Sequence, residues 1–354
     1  MTTKKDIESA LMRGADTLRD TIDAANYKDY VLPVMFVKYL SDSYTDAVEE
    51  LSKQYAGIRL ERQKKYLPFM VAEGCSFYDL YQQRFADNIG QLMNAAMRQI
   101  EADNNQQLAG VLSAVDYNSE NALGTREHKN AILRDLLEDF EPLDLRPSAI
   151  EVKEGQVPAD VIGDAYEYMI GQFASMAGKK AGSFYTPAAV SEIMARIVDV
   201  QPGERVYDPT CGSGSLLIKA AKKQNSKEVS IYGQEVNGSS VAMAKMNMYI
   251  HEIRDAKIGW GDTLANPVFL DADGNLLLFD AIVANMPFSK DKWASGFNPG
   301  GESSGKGKKE FKMEASLDKF HRFDWGVPPA SKGDWAFLLL SLIHISEPTR
   351  RVVI

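Results

Sequence analysis

The stretch Asp208-Pro-Thr-Cys-Gly-Ser-Gly-Ser215 decides the fold. The segment Gly203-Glu-Arg-Val-Tyr-Asp208 precedes it and reads as a strand, while residues 214–223 carry a helical pattern. A strand that enters a Gly-rich turn and leaves as a helix is the first unit of a doubly wound α/β sheet. Gly212 and Gly214 allow a ligand to approach the backbone, and the following helix start contributes unpaired N–H groups and the positive end of its dipole. The pattern is neither the G-x-G-x-x-G of nicotinamide enzymes nor the G-K-[ST] of a P-loop. A purely structural strand-to-helix turn is the alternative at this point.

Downstream, the alternation continues. Residues 228–235 read as a strand ending at Glu235, 237–252 as a helix, 257–262 as a strand ending at Asp262, and 278–284 as a buried strand ending at Asn285. Helices are expected at 159–177 and 187–199. In parallel sheets ligands lie at the carboxyl ends of the strands, where these polar residues fall. Glu235 is placed to accept both hydroxyls of a ribose, and Asp262 to accept from an exocyclic amine. Taken singly, each would read as a solvated strand-end acid, and Asn285-Met-Pro-Phe288 as a capped turn with a core Phe. Their order after the glycine turn gives them a joint reading.

Upstream, the pattern is helical. Ile7, Leu11, Ala15, Leu18 and Ile22 recur at three- and four-residue steps over 6–24, and similar stripes cover 28–55, 77–114 and 129–140. Segment 115–128 reads as a loop and 141–158, with Pro142, Pro147, Gly155 and Pro158, as a connection. The expected organisation is a helical domain over 1–145, a linker over 146–158, an α/β domain over 159–340 and a tail over 341–354.

Of 354 residues, 40 are Lys or Arg and 49 Asp or Glu, a formal net charge of -9. Residues 1–150 hold 17 basic and 24 acidic side chains, so most of the excess lies in the helical half. An acidic chain is poorly suited to grip phosphates alone, but the near-neutral α/β half can act on a nucleic acid if a partner supplies that grip. Two cysteines, Cys75 and Cys211, and four scattered histidines argue against a metal site or disulfide framework. No apolar run approaches a membrane span and the N-terminus lacks a signal-peptide pattern, so no membrane association and a cytoplasmic location are expected.

Asp208-Pro-Thr-Cys-Gly-Ser-Gly, Gln234-Glu-Val-Asn, Gly261-Asp-Thr and Asn285-Met-Pro-Phe, with Gly182-Ser-Phe-Tyr-Thr-Pro187 upstream, together resemble the amino-group DNA methyltransferases that use S-adenosylmethionine. Their order resembles the gamma arrangement of adenine-N6 enzymes. The helical half, Asp164-Ala-Tyr-Glu-Tyr-Met-Ile and Lys332-Gly-Asp-Trp-Ala-Phe-Leu extend the resemblance to the modification subunit of type I restriction–modification systems, over about residues 1–340. That resemblance implies a Rossmann-like methyltransferase sheet and a site-specific adenine DNA methyltransferase. It implies that Tyr185, Thr186 and Pro187 shape the pocket for the methionine end of the cofactor. Asp208, Gly212 and Gly214 would contact the methionine moiety, with Thr210 and Ser215 also at the cofactor. Glu235 would hold the ribose and Asp262 the cofactor adenine. Asn285 and the Met286 carbonyl would accept from the target amine, Pro287 would shape the turn, and Phe288 would stack on the flipped base. The family usually has Asn-Pro-Pro-Phe; Met286 replaces a rigid residue but keeps the carbonyl. Implied partners are DNA, a specificity subunit, an endonuclease subunit and a second copy of the chain. RNA or protein-glutamine methylation and a non-catalytic binding fragment are the competing functions.

Asp271-Ala-Asp-Gly-Asn275 begins like a calcium loop but lacks the third acid and closing Glu, so a hairpin turn is expected. Met243, Met246 and Met248 read as core. Segment 289–312, with Lys306, Lys308, Lys309 and Lys312, reads as a long mobile loop, solvated or touching phosphate. The run from Leu340 to Ile354 departs from the resemblance and reads as a non-native tail, so a sheet that stops after its fourth strand is expected.

Overall fold

The computed structural model describes residues 1–55, 66–178, 185–222, 228–288, 290–298, 311–345 and 351–354. Two compact units divide the chain. One comprises Met1–Ala181 with Lys245–Glu252, the other Gly182–Ala244 with Ile253–Ile354.

The first unit is helical: α1 Lys4–Leu18, α2 Tyr27–Gln54, α3 Phe77–Gln82, α4 Ile89–Asp103, α5 Asn105–Leu108, α6 Glu120–Leu123, α7 Arg126–Phe140 and α8 Pro158–Ala177. Thr3 starts α1 through a capping box: its hydroxyl accepts from Asp6 N at 3.2 Å, and Asp6 Oδ2 accepts from Thr3 N at 2.8 Å. The expected stripe Ile7, Leu11, Ala15 and Leu18 is buried. Gly14 lets α1 approach α7 closely, since a Cβ there would sit 3.1 Å from Leu136. The helix stops at Leu18 rather than continuing to residue 24; Asp23 then caps a short 3-10 turn at Ala24–Asn26.

The expected helix over 77–114 is three pieces. At Asn104 the side chain leaves helical duty and grips another segment, accepting from Met70 N at 2.8 Å and donating to Met70 O at 2.7 Å. Within the expected loop 115–128, Ser119 caps α6 and Thr125 caps α7, so side-chain caps turn a polar stretch into two helix starts. By packing, helix α8 belongs with the compact helical unit. Helix α8 buries Val161, Ile162, Ala165, Tyr166, Met169, Ile170 and Phe173, and its partners include α1 and α2.

An ion pair lies inside this unit. Lys38 Nζ donates to Asp42 Oδ2 at 2.6 Å and Oδ1 at 2.8 Å, with both side chains fully buried. Tyr78 OH donates to Asp42 Oδ1 and Leu145 N to Oδ2, each at 2.6 Å. The pair therefore ties α2 to α3 and to the segment after α7.

The second unit is a parallel sheet in the order β3-β2-β1-β4-β5. Its strands are β1 Arg205–Asp208, β2 Ser230–Glu235, β3 Lys257–Trp260, β4 Ala281–Val283 and β5 Arg351–Val353. Helices α9 Ala188–Val198, α10 Ser215–Lys222 and α12 Gly333–His344 belong to it, while α11 Gly238–Ile250 contributes residues to both units. The register places Asp208 beside Gly233, Glu235 beside Trp260, and Tyr207 beside Ile282. The order reverses direction at β1, so the switch point lies between β1 and β4.

One expectation about the end of the chain is corrected. The sheet does not stop at its fourth strand: Ala281, Ile282 and Val283 pair in parallel with Arg351, Val352 and Val353. Residues 341–345 are part of the packed unit. Ser341 and His344 are buried on α12, His344 Nδ1 donates to Leu277 O at 3.0 Å, and Ile345 bridges Phe279. Burial lowers the His344 pKa to about 4. Val352 and Ile345 pack on the aromatic core of Tyr207, Tyr232 and Phe279.

The 289–312 loop is also partly corrected. Residues 290–298 hold Trp293 at 1% exposure against Phe323 and Phe337, because its large ring completes that cluster. Residues 299–310, which carry Lys306, Lys308 and Lys309, lie outside the described residues. The hairpin is confirmed: Leu270 pairs antiparallel with Leu276 and Gly274 has φ +83. Met243, Met246 and Met248 are buried. No helix among the described residues is long and apolar enough to cross a membrane.

Candidate active site

The site is built at the carboxyl ends of the parallel strands. β1 delivers Asp208, whose side chain is 2% exposed and whose Oδ1 accepts from Thr210 N at 2.8 Å. This bond folds the turn back on itself. Gly212 and Gly214 follow with φ +52 and +76, conformations that side-chain-bearing residues adopt at a cost. Gly214 N donates to Cys211 O at 2.7 Å, and Ile218 N to Gly214 O at 3.0 Å, which launches α10.

Neighbouring strands hold the turn. Cys211 N donates to Gln234 O at 3.1 Å. The glycine at Gly233 is required by this approach, because a Cβ there would lie 3.0 Å from both Cys211 Cβ and Sγ. β2 delivers Glu235, whose Oε2 accepts from Gly212 N at 3.0 Å and Oε1 from Asn237 N at 2.9 Å. Each carboxylate oxygen has a second lone pair, so both can still accept from a ligand.

After β3, Asp262 Oδ1 accepts from Leu264 N at 3.0 Å, and Thr263 Oγ1 donates to Pro209 O at 2.6 Å. That second bond fastens the Asp262 loop to the glycine turn. Two buried side chains hold it from other directions. Gln234 donates to Gly261 O and Asn266 O at 3.2 and 2.9 Å. Arg322, 1% exposed, pairs with Asp318 and donates to the carbonyls of Thr263 and Leu264.

After β4 comes Asn285. Its Nδ2 donates to Thr186 Oγ1 at 3.1 Å, the residue just before the Pro187 that caps α9. Met286 packs against the cluster around Trp293 and Phe337, while the ring of Phe288 is 77% exposed.

The structure therefore brings Tyr185, Thr186, Asp208, Thr210, Gly212, Ser215 and Asn285 around one cavity, with Cys211, Ser213 and Leu216 as further walls. The cavity volume is about 20 Å³, room for one water; a ligand reaching Asp208 must spread its walls. Gly214 sits under the turn, and Glu235 and Asp262 stand on the neighbouring strand ends rather than in this cavity. Pro187 is exposed and absent from its lining. Gly182, Ser183 and Phe184 of the upstream motif lie outside the described residues. Gln234 and Arg322 are residues that sequence reading missed. The first was hidden inside a strand; the second is joined to the site by a contact nearly sixty positions away in the chain.

Electrostatics single out the carboxylates. Burial, assisted by the nearby Glu235 charge, pushes the Asp208 pKa up to about 7, against the opposing bond from Thr210. Burial likewise raises Glu235, opposed by its backbone donors. Among the described residues no basic side chain bonds either acid. Two buried acids beside Cβ-free backbone and a helix start suit a ligand that brings a positive charge and hydroxyls. Among the described residues, no group of three or more His, Cys, Asp and Glu could hold a metal ion.

Comparison with known proteins also finds two parts, divided between residues 140 and 157, so that α8 falls within the methylase match. A family model described as N-6 DNA Methylase matches residues 157–354, and one described as HsdM N-terminal domain matches residues 7–140. The methylase subunit of the type I restriction enzyme MjaVIII from Methanocaldococcus jannaschii is 29% identical over 344 residues, covering 93% of this chain and 53% of that protein. The methylase subunit of the type I restriction enzyme MpnII from Mycoplasma pneumoniae is 29% identical over 381 residues, covering 96% and 66%. The chain thus spans roughly half to two thirds of the length of these curated relatives. The crystal structure of a type I restriction–modification methyltransferase subunit from Streptococcus thermophilus superposes with a TM-score of 0.76 at 29% identity, covering 99% of this chain and 74% of that one. With more than half of its length matched by that model, and the strand-end acids and Asn-Met-Pro-Phe turn arrayed along one sheet edge, this chain belongs to the N-6 DNA methylase family.

Proposed function

We propose that this chain carries the methyl-transferring centre of a type I modification enzyme, acting on the N6 amine of adenine in DNA with S-adenosylmethionine as cofactor. The observation that carries this reading is the placement of Asn285. Its amide nitrogen is engaged by Thr186, which leaves the carbonyl oxygen to accept from a substrate, on the same cavity as Asp208 and the glycine turn.

The donor set suits the cofactor. Asp208 would face its ammonium group, Gly212 and Gly214 would let its methionine end reach backbone N–H groups, Glu235 would take its ribose hydroxyls and Asp262 its adenine amine. When bound, it supplies an electrophilic methyl group on a sulfonium.

The chain's own residues do the rest. An exocyclic aromatic amine is a poor nucleophile, because its lone pair is spread into the ring. Asn285 Oδ1 and the Met286 carbonyl, by accepting its two hydrogens, favour a pyramidal nitrogen with a localised lone pair. Holding that geometry in a water-poor cavity supplies rate through positioning and electrostatics. The exposed ring of Phe288 offers a stacking face for a base turned out of the duplex. The acidic helical unit is a poor phosphate grip, so specificity and endonuclease subunits, and a second copy of the chain, are the partners of this reading. They would supply the Lys and Arg contacts.

Tritium transfer from labelled cofactor to duplex DNA, RNA and protein, with and without a specificity subunit, tests the reading. Incorporation into adenine N6 of DNA is expected with the partner present. No incorporation into DNA under either condition would defeat it. Asn285→Ala is expected to lose transfer by at least about a hundredfold while keeping cofactor binding.

A further inference from the structure

Thr186 stands on the segment before α9, and Asn285 follows β4. The topology of the sheet unit brings them together, and the hydrogen bond between them, 3.1 Å from Asn285 Nδ2 to Thr186 Oγ1, is on the wall of the cavity. The bond has a chemical consequence. An Asn side chain carries an acceptor at one end of its amide and a donor at the other, and rotation by half a turn exchanges them. Only the carbonyl end can accept from an incoming amine. The NH2 end would repel it and would leave its own hydrogens facing hydrogens.

When the carbonyl faces the amine, Nδ2 must point the other way, into a partly buried position where it needs an acceptor. Thr186 Oγ1 is the acceptor found there. The geometry points to Thr186 as a positioning residue that holds the Asn285 amide with its carbonyl toward the target amine. The assignment rests on the methyl-transfer reading above and goes beyond it: the resemblance alone places Thr186 at the methionine end of the cofactor, and so would have it act through cofactor binding. The two roles separate cleanly. A residue that acts through Asn285 changes turnover and amide orientation; one that acts through the cofactor changes cofactor affinity.

The test uses the full chain with 15N-labelled asparagine, its partner subunit added for activity. The Asn285 side-chain NH2 signal is assigned by its loss in Asn285→Ala. Thr186→Val keeps the shape and removes the acceptor. Its expected effects are about tenfold faster exchange of the Asn285 NH2 hydrogens with solvent and about a tenfold lower kcat, the loss of one hydrogen bond. Cofactor Kd, measured by calorimetry, is expected to stay within about twofold because the hydroxyl that is removed is engaged by Asn285 and the shape of the cavity wall is kept. Thr186→Ser, which restores the hydroxyl, is expected to recover most of both losses. An Asn285 NH2 signal that exchanges no faster in Thr186→Val overturns the assignment. So does a cofactor Kd that weakens in step with kcat. If the unaltered chain and its partner transfer no methyl group, the proposed function fails, and the exchange measurement still decides the Thr186–Asn285 link.

Discussion

Two buried carboxylates in this chain have opposite circumstances. Asp42, in the helical unit, meets a lysine ammonium, a tyrosine hydroxyl and a backbone N–H, all within 2.8 Å. Asp208, at the end of β1, meets the backbone N–H of Thr210 and more weakly its hydroxyl, with another acid nearby. The first is a closed structural staple, in which each charge is answered from within the chain. The second is electrostatically incomplete: burial raises its pKa against the weaker opposing pull of the Thr210 bonds. A buried acid with no cation bonded to it is a candidate position for a cationic ligand group. The contrast separates an acid paired with a lysine from one bonded by Thr210 alone among the described residues, although both are equally hidden from solvent.

The largest effect should come from breaking the staple. Lys38→Met leaves the Asp42 charge buried without its counter-ion, and is expected to cost about 3–5 kcal/mol in urea unfolding. Loss of less than about 1 kcal/mol would mean that Tyr78 and Leu145 N suffice for Asp42.

At Asp208 the sign reverses. Its folded pKa lies above the unfolded value, so the stability contributed by the protonated form is present below about pH 4 and is lost as pH rises through about 7. Asp208→Asn abolishes that dependence. The variant should gain on the unaltered chain, reaching on the order of 4 kcal/mol at pH 8 in the absence of ligand. Parallel stability curves between pH 4 and pH 8 would contradict the raised pKa.

A smaller effect concerns binding. If the cationic cofactor selects ionised Asp208, its affinity should rise about tenfold from pH 6 to pH 8, with proton release detectable by calorimetry in two buffers. Affinity independent of pH in Asp208→Asn and in the parent alike would remove Asp208 from the cofactor's ammonium. The smallest change calibrates the helical unit: Thr3→Ala removes one side of a capping box and should cost about 1 kcal/mol in the same unfolding assay.

Much of the sheet unit was legible because its signals are local. Glycines at 212 and 214 are needed where φ is positive, and both lie within six residues of the acid they serve. Tyr185, Thr186 and Asn285, far apart in sequence, were found through family motifs and do meet at one cavity. What escaped is non-local. β5 is three residues long, and its pairing comes from β4 rather than from any pattern of its own. Gln234 looks like any strand residue until its amide is seen spanning Gly261 and Asn266. In the helical unit the stripe on α1 was readable, whereas the break at Asn104 depends on a partner at Met70, more than thirty positions away. Trp293 was placed in a loop by its Gly- and Ser-rich surroundings, but burial of its ring outweighs their preference.

The Arg322 clamp bears on how the site comes into being. During synthesis the Asp262 loop leaves the ribosome well before Arg322, so the carbonyls of Thr263 and Leu264 wait for their donor while some sixty further residues are added. The strand-end acids thus emerge early, but the loop that aims one of them is fastened late. A nascent chain has the glycine turn before it has a fixed place for the third acid.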